Sequence, residues 1–185
     1  MDRMSNTYER ARKIKLLLMD VDGVLTDGTV LFLPGADGQW VETKAFDTQD
    51  GLAFQWLHRY GIKTGVISGR KSEAVVMRAE QGHMSYCYQG YLEKIPIIEE
   101  ILRDSGLGAE EVAYMGDDFT DVVIFRRVGW AIAVGNARSE VKQSAHYVTA
   151  AHGGKGALRE VAEILLKTQG HWDEILTHYE IGRED

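Results

Sequence analysis

Asp20 and Asp22 stand two residues apart at the end of a largely apolar run, Ile14 to Met19, with Gly23 behind them. Carboxylates at that spacing crowd negative charge, which a cation, a basic side chain or a shared proton must offset. Further along, Ser68-Gly69-Arg70, Lys94 and Gly116-Asp117-Asp118-Phe119-Thr120-Asp121 add a hydroxyl, an ammonium and more carboxylates. Singly, each has an ordinary reading: an Asp-Gly turn after a strand, a Ser-Gly turn, a solvated helix lysine, a loop with a helix cap at Thr120. Together they form a set suited to phosphoryl transfer. A carboxylate beside a hard cation can attack phosphorus, and an aspartyl-phosphate divides phosphoester hydrolysis into two easier steps. Asp20, on the strand end, suits the nucleophile. Asp22 suits the group that protonates the leaving alkoxide and then deprotonates water. Ser68, the Gly69 amide and Lys94 suit the equatorial phosphate oxygens. An oxygen-rich cluster with few dedicated ligands suits Mg²⁺, which keeps waters and takes a substrate phosphate.

Residues this far apart meet only if each lies at the C-terminal end of a strand in a parallel sheet, where open α/β folds place their ligands. Strands are expected over 14–19, 62–67, 86–88, 112–115 and 131–134, with a sixth at 147–149. Helical spacing follows Asp47 (Leu52, Ala53, Trp56, Leu57), runs from Ser72, which can cap the helix, to about Glu80, from Leu92 to Ser105 with Lys94 in the first turn, through Val122 to Phe125, and through Leu158 to Leu166. The alternation predicts a Rossmann-like, doubly wound, mainly parallel sheet with helices on both faces. Between the first strand and the first of these helices, two β-rich runs flank Pro34-Gly35-Ala36-Asp37-Gly38 and read as a hairpin over about 29–46. Trp40, Glu42 and Lys44 share one of its faces. So apolar a hairpin packs on its own core or forms a subunit interface, and the interface is favoured.

The 185 residues fit one domain, 1–185, whose tail covers about 150–185; from His171 the tail is polar, with Trp172, Ile175 and Leu176 as anchors. The net charge of −7 excludes nucleic acid and anionic membranes as general partners. Met1 to Lys13 lacks the apolar centre of a signal peptide, and no apolar run approaches membrane-spanning length, so a cytoplasmic protein is expected. The single cysteine, Cys87, lies in an apolar and aromatic run and is expected to be buried and inert. The six histidines form no close metal-binding pair.

Asp20-Val21-Asp22-Gly23-Val24-Leu25-Thr26, Ser68, Lys94 and Gly116-Asp117-Asp118 with Asp121 resemble the four motifs of the haloacid dehalogenase superfamily of phosphohydrolases. The resemblance implies that the metal is held by Asp20, the backbone carbonyl of Asp22 and Asp117, with Asp118 or Asp121 in the outer shell. Asp27-Gly28, Lys44-Ala45-Phe46 with Asp50-Gly51, Ser68-Gly69-Arg70-Lys71, Tyr88-Gln89-Gly90 and Gly153-Gly154-Lys155-Gly156-Ala157 narrow it to phosphatases of eight-carbon sugar acid 8-phosphates that serve lipopolysaccharide synthesis. That implies a capless homotetramer with hairpins packed at its centre and a neighbour's tail helping to close each site. Lys44, Arg70 and Lys155 are then candidate partners for the substrate carboxylate, and Asp50 and Gly51 join them as substrate-binding candidates. The alternatives are a nine-carbon sugar acid 9-phosphate as substrate, or a receiver-type domain that accepts a phosphoryl group as a signal. The pair of acids on the first strand disfavours the receiver, since a slow switch needs no acid/base.

Overall fold

The computed structural model describes residues 3–182. Helix α1 (Arg3–Ala11) leads into β1 (Leu16–Met19), and an antiparallel hairpin of β2 (Leu31–Pro34) and β3 (Trp40–Thr43) precedes α2 (Thr48–Arg59). Then follow β4 (Lys63–Ser68), α3 (Glu73–Gln81), β5 (Tyr86–Gln89), α4 (Ile95–Ser105), β6 (Val112–Gly116), α5 (Phe119–Phe125), β7 (Trp130–Ala133), α6 (Ser139–Ser144), β8 (Tyr147–Val148), α7 (Ala157–Thr168) and α8 (Trp172–His178). Apart from the hairpin, the strands form one six-stranded sheet in the order β5-β4-β1-β6-β7-β8. Every pairing in it is parallel.

The central strands are apolar because helices cover both faces of the sheet. Leu16 to Met19 are all 0% exposed, as are Val112 to Met115 and Trp130 to Ala133. From β1 the chain moves outward through β4 to β5, then returns through α4 to β6 on the other side of β1. Right-handed crossovers running in opposite directions put their helices on opposite faces. Accordingly α2 packs with α7, and α7 with α1, while α5 packs with α4 and α6. The reversal leaves a crevice beyond the C-terminal end of β1.

Four expectations need correction. Helix α4 begins at Ile95, so Lys94 is its N-cap residue and not part of its first turn; Pro96, which favours the start of a helix, sets that boundary. Ser72 precedes α3 but its side chain makes no capping hydrogen bond. Cys87 is exposed, because the apolar run around it is the edge strand β5, although burial of its sulfur still pushes the thiol pKa up. The polar stretches at both ends are helical: α1 rests on the buried Thr7 and Ala11, and α8 on Ile175.

Among the described residues the hairpin is joined to no other strand, and Leu31, Phe32, Leu33, Trp40 and Val41 are all exposed, Trp40 at 70%. It does not pack on its own core. The tail, by contrast, binds its own subunit. Trp172 meets Trp56 edge-on at 5.7 Å between ring centroids, the Trp56 indole N–H donates to the Tyr179 hydroxyl at 3.3 Å, and the Arg159 guanidinium lies 4.0 Å over the Trp56 ring. The tail residues to Tyr179 thus dock on α2 and α7; 183–185 lie outside the described residues. Among the described residues no helix is long and apolar enough to cross a membrane.

Candidate active site

Parallel register brings the predicted residues together. Met19 is level with Val66 on β4 and with Met115 on β6, so Asp20 emerges one residue beyond that line and Ser68 and Asp117 two beyond. The Asp20 N–H still joins the ladder, donating to the Met115 carbonyl at 3.0 Å. Lys94 arrives with the returning connection at the head of α4. A cation at a helix N-terminus opposes the helix dipole, and here nearby carboxylates offset that cost. Its ammonium lies 2.8 Å from Asp20 Oδ2, 2.8 Å from Asp121 Oδ1 and 3.0 Å from the Tyr114 hydroxyl, so all three N–H donors are used. Burial alone would push the Lys94 pKa down, but Asp121 and Asp20 hold it above its ordinary value.

Asp121 is wholly buried, and internal partners fill its hydrogen-bonding capacity. Its Oδ1 accepts from Lys94 and from the Tyr114 hydroxyl, and its Oδ2 from the backbone N–H groups of Asp117 at 2.9 Å and Asp118 at 3.2 Å. It therefore sets the loop that carries Asp117. Asp118 caps α5 through the Phe119 N–H at 2.7 Å, and its side chain lines the crevice. By contrast, no hydrogen bond or ion pair reaches the Asp117 carboxylate among the described residues. It sits against Gly23, where a Cβ would overlap it.

Charge balance indicates what the site can hold. Oxygens of Asp20, Asp117 and Asp121 all lie within 4.8 Å of one another, and among the described residues Lys94 is the only cation paired with them. Burial first, and then Asp121, push the Asp20 carboxyl up to about 6 against the pull of Lys94. Burial, Asp121 and Asp20 push Asp117 up to about 7. With Asp121 engaged, Asp20 and Asp117 are two hard oxygen donors with unbalanced negative charge, a set that fits a small divalent cation.

Asp20, Asp22, Ser68, Gly69, Arg70, Lys94 and Asp118 line one cavity of about 170 Å³, with Leu92 and Thr120 completing its wall. That is smaller than the ~300–1,000 Å³ of a typical ligand pocket, so this chain alone encloses only the reacting end of a substrate. Ser68 is buried, and the Tyr91 N–H donates to its carbonyl, tying the Ser68-Gly69-Arg70 loop to the end of β5. The hairpin reaches in through Lys44, whose ammonium is 2.5 Å from Asp22 Oδ1 and 3.0 Å from Glu42 Oε1. Arg70 in turn holds Glu42 Oε2 at 2.5 Å, which with Lys44 lowers the Glu42 pKa to about 2.

Three expected substrate contacts lie elsewhere. Lys155 lines a neighbouring cavity with Asp27, Phe46 and Asp47. Gly51 lies against the Arg78 guanidinium. Asp50 points inward from α2, where its Oδ1 accepts the Arg159 N–H at 2.8 Å and its Oδ2 has no partner. An Asp-Gly pair at the start of a helix thus has a structural role here, holding α7. Burial pushes the Asp50 carboxyl from 3.8 up to about 6. Its contribution to stability is therefore complete below pH 4 and is lost as pH rises through about 6. In Asp50→Asn the difference from the native protein should open across that interval and reach up to about 3 kcal/mol in favour of the variant at pH 8. Urea unfolding at pH 4, 6 and 8 measures it; a gap that does not change with pH would contradict the assignment.

The Gly153-Gly154 loop presses onto the loop that carries the nucleophile candidate. The Gly153 N–H donates to Asn136 Oδ1 at 2.7 Å, Asn136 donates to the Gly23 carbonyl at 3.4 Å, and the Gly154 N–H donates to the Val24 carbonyl at 3.0 Å. A Cβ at Gly153 would overlap the Gly23 carbonyl, and one at Gly154 the backbone of Thr26 and Asp27.

Sequence reasoning missed Tyr114, Glu42 and Asn136. Tyr114 left a signal, because a tyrosine in the middle of a buried strand needs a hydroxyl partner. Glu42 left a fainter one, through the face it shares with Lys44. Asn136 left none.

An open parallel sheet bearing paired acids, a buried ammonium and a hydroxyl at its switch point defines a phosphoryl-transfer site. A profile described as haloacid dehalogenase-like hydrolase matches residues 68–160. The 3-deoxy-D-manno-octulosonate 8-phosphate phosphatase KdsC of Escherichia coli K12 is 38% identical over 170 residues, 92% of this chain and 88% of its own. The crystal structure of 3-deoxy-D-manno-octulosonate 8-phosphate phosphatase from Moraxella catarrhalis, in complex with magnesium, phosphate and KDO, matches with a TM-score of 0.89 at 37% identity, covering 95% of this chain and 99% of that one. The cobalt-bound deoxy-D-mannose-octulosonate 8-phosphate phosphatase of Haemophilus influenzae matches with a TM-score of 0.80 at 36% identity, covering 87% and 92%. The chain belongs to the haloacid dehalogenase-like hydrolases.

Proposed function

We propose that this protein is a Mg²⁺-dependent phosphoric monoester hydrolase that converts 3-deoxy-D-manno-octulosonate 8-phosphate to 3-deoxy-D-manno-octulosonate and phosphate, as one catalytic domain. The observation that carries the chemistry is the Lys94 ammonium, buried between Asp20 and Asp121 with the Asp117 carboxylate alongside. The substrate is supported by the names and bound ligands of relatives that match over nearly the whole chain.

In this reading Lys94 and the Val21 N–H, which donates to Asp20 Oδ1 at 2.6 Å, fix the carboxylate plane of Asp20 for attack on phosphorus. The P–O bond to the sugar breaks as the Asp20–phosphorus bond forms, and Asp22 supplies the proton for the departing sugar oxygen. In the second half Asp22 takes a proton from the water that cleaves the aspartyl-phosphate. Lys44 orients Asp22 throughout. Ser68, the Gly69 N–H and Lys94 hold the phosphate oxygens. Asp20, Asp117 and the Asp22 backbone carbonyl would hold Mg²⁺, which offsets charge and polarises the phosphate. Arg70 and Lys44 supply positive charge for the sugar acid carboxylate, whereas Asp50 and Gly51 act only indirectly, through α2.

The exposed apolar hairpin and the small cavity support a homotetramer in which neighbours complete the substrate pocket, in a cytoplasmic enzyme serving lipopolysaccharide synthesis. Phosphate release should be rapid on 3-deoxy-D-manno-octulosonate 8-phosphate, should cease with EDTA and return with Mg²⁺, and should be at least about tenfold slower on a nine-carbon sugar acid 9-phosphate. Preference for the nine-carbon compound would overturn the substrate. A stable phosphoprotein without turnover would overturn the enzyme.

A further inference from the structure

Arg70 and Lys44, the cations available to a substrate carboxylate, already have an anion. Glu42 Oε2 is 2.5 Å from an Arg70 terminal nitrogen, Arg70 Nε donates to Glu42 Oε1 at 3.4 Å, and the same Oε1 is 3.0 Å from the Lys44 ammonium. Lys44 also holds Asp22, so a chain of contacts runs from the exposed guanidinium through Glu42 and Lys44 to the proposed acid/base. The Lys44 side chain is only 2% exposed and Glu42 17%, whereas Arg70 is 46% exposed and lines the cavity. Among the described residues the β2–β3 ribbon pairs with no strand of the main sheet, and two ion pairs tie the hairpin to the body of the fold, Glu42–Arg70 and Lys44–Asp22.

We propose that Glu42 is an internal stand-in for the substrate carboxylate, which occupies Arg70 and Lys44 in the free enzyme and gives them up when a phosphorylated sugar acid binds. The inference rests on the proposed function and adds what its carboxylate-binding cations hold before the substrate arrives. Two electrostatic effects act in the same direction. A carboxylate arriving at Arg70 must replace Glu42, and while Glu42 stays in place its charge repels the newcomer. A phosphomonoester without a carboxylate reaches Ser68 and Lys94 without engaging Arg70 and meets neither cost. The chain therefore admits the carboxylated substrate only at the expense of an existing ion pair, which also frees the hairpin from the Arg70 loop.

The test is Glu42→Gln, a near-isosteric change on an exposed hairpin, assayed with 3-deoxy-D-manno-octulosonate 8-phosphate and with p-nitrophenyl phosphate. Because Arg70 is half-exposed, the ion pair is weak and the effect modest: KM for the sugar acid phosphate should fall about two- to fivefold with kcat within about twofold, while KM for p-nitrophenyl phosphate stays the same. A merely structural Glu42, needed to hold Arg70 in place, would give the opposite sign, a raised KM for the sugar acid phosphate. That result, an unchanged KM, or an equal fall for both substrates would overturn the proposal. Native enzyme that hydrolyses p-nitrophenyl phosphate but not the sugar acid phosphate would instead overturn the function, and that is read before any variant is compared.

Discussion

Asp20→Asn should abolish turnover, lowering kcat by at least about four orders of magnitude, and should also make the metal-free protein harder to unfold at neutral pH. The amide matches the carboxylate in shape but cannot form the covalent link to phosphorus, and no neighbouring group takes over. Asp22 is turned toward Lys44 and Asp121 is filled by four internal hydrogen bonds. The gain in stability follows from the charge count. In the native, metal-free fold the Asp20 carboxyl sits at about 6 instead of 3.8, so ionising it costs on the order of 3 kcal/mol. A raised folded pKa contributes stability below pH 4 that is lost as pH rises through 6. The variant loses one hydrogen-bonding partner of Lys94 but also this penalty, so at pH 8 with EDTA its Tm should exceed the native value by about 3 °C, and the two should converge near pH 4. Calorimetry at both pH values checks it. Residual turnover within tenfold of native would remove Asp20 from the nucleophile's role.

Lys94→Met should be the most destabilising single change in the site. Lys94 is 2% exposed, and its ammonium offsets Asp20 and Asp121 while accounting for one of the two contacts to the Tyr114 hydroxyl. Methionine keeps the length of the chain and loses the charge, leaving buried carboxylates without their cation. Breaking a buried pair in this way typically costs about 3–5 kcal/mol, or on the order of 10 °C in Tm for a chain of this size. Catalysis should fail as well, because the donor to the transferred phosphate is gone. The deficit should depend on pH. Asp20 is already raised with Lys94 present and rises further without it, so acid relieves the variant and the gap should narrow between pH 8 and pH 5. Thermal unfolding in EDTA at those two pH values measures it. An equal deficit at both would mean that packing, not charge, is what Lys94 supplies.

The residues easiest to read from sequence were those the backbone delivers directly. Asp20, Ser68 and Asp117 each follow an apolar run, and a strand buried on both faces is apolar throughout, so its end is visible in the sequence. Parallel register then places those ends side by side without further information. Helices α1 and α8 were obscure because each buries so little: α8 is held by Ile175 and by aromatic contacts with Trp56, a partner more than a hundred residues away in the chain. The start of α4 was legible in Pro96 but was placed too early. Cys87 shows the reverse difficulty, since its neighbours are apolar and only its position on the edge strand exposes it. Asp50 and Lys155 belong to motifs that lie near the site without facing its cavity, and local pattern does not record the direction of a side chain. The chain of ion pairs from Asp22 to Arg70 depends on how the hairpin folds back, which no local spacing encodes.

The contact of Gly153 and Gly154 with the backbone of Gly23 and Val24 has a consequence for biosynthesis. Asp20 and Asp22 leave the ribosome some hundred and thirty residues ahead of the segment that supplies the wall behind them. A nascent chain that has not yet reached Gly153 and Gly154 has its nucleophile loop exposed on one side, whatever part of the sheet has already formed. Hydrolytic competence therefore waits for the Gly153-Gly154 segment to be synthesised and to dock. A product that terminates between Asp121 and Gly153 carries every acid of the site and still lacks a rigid place to hold them.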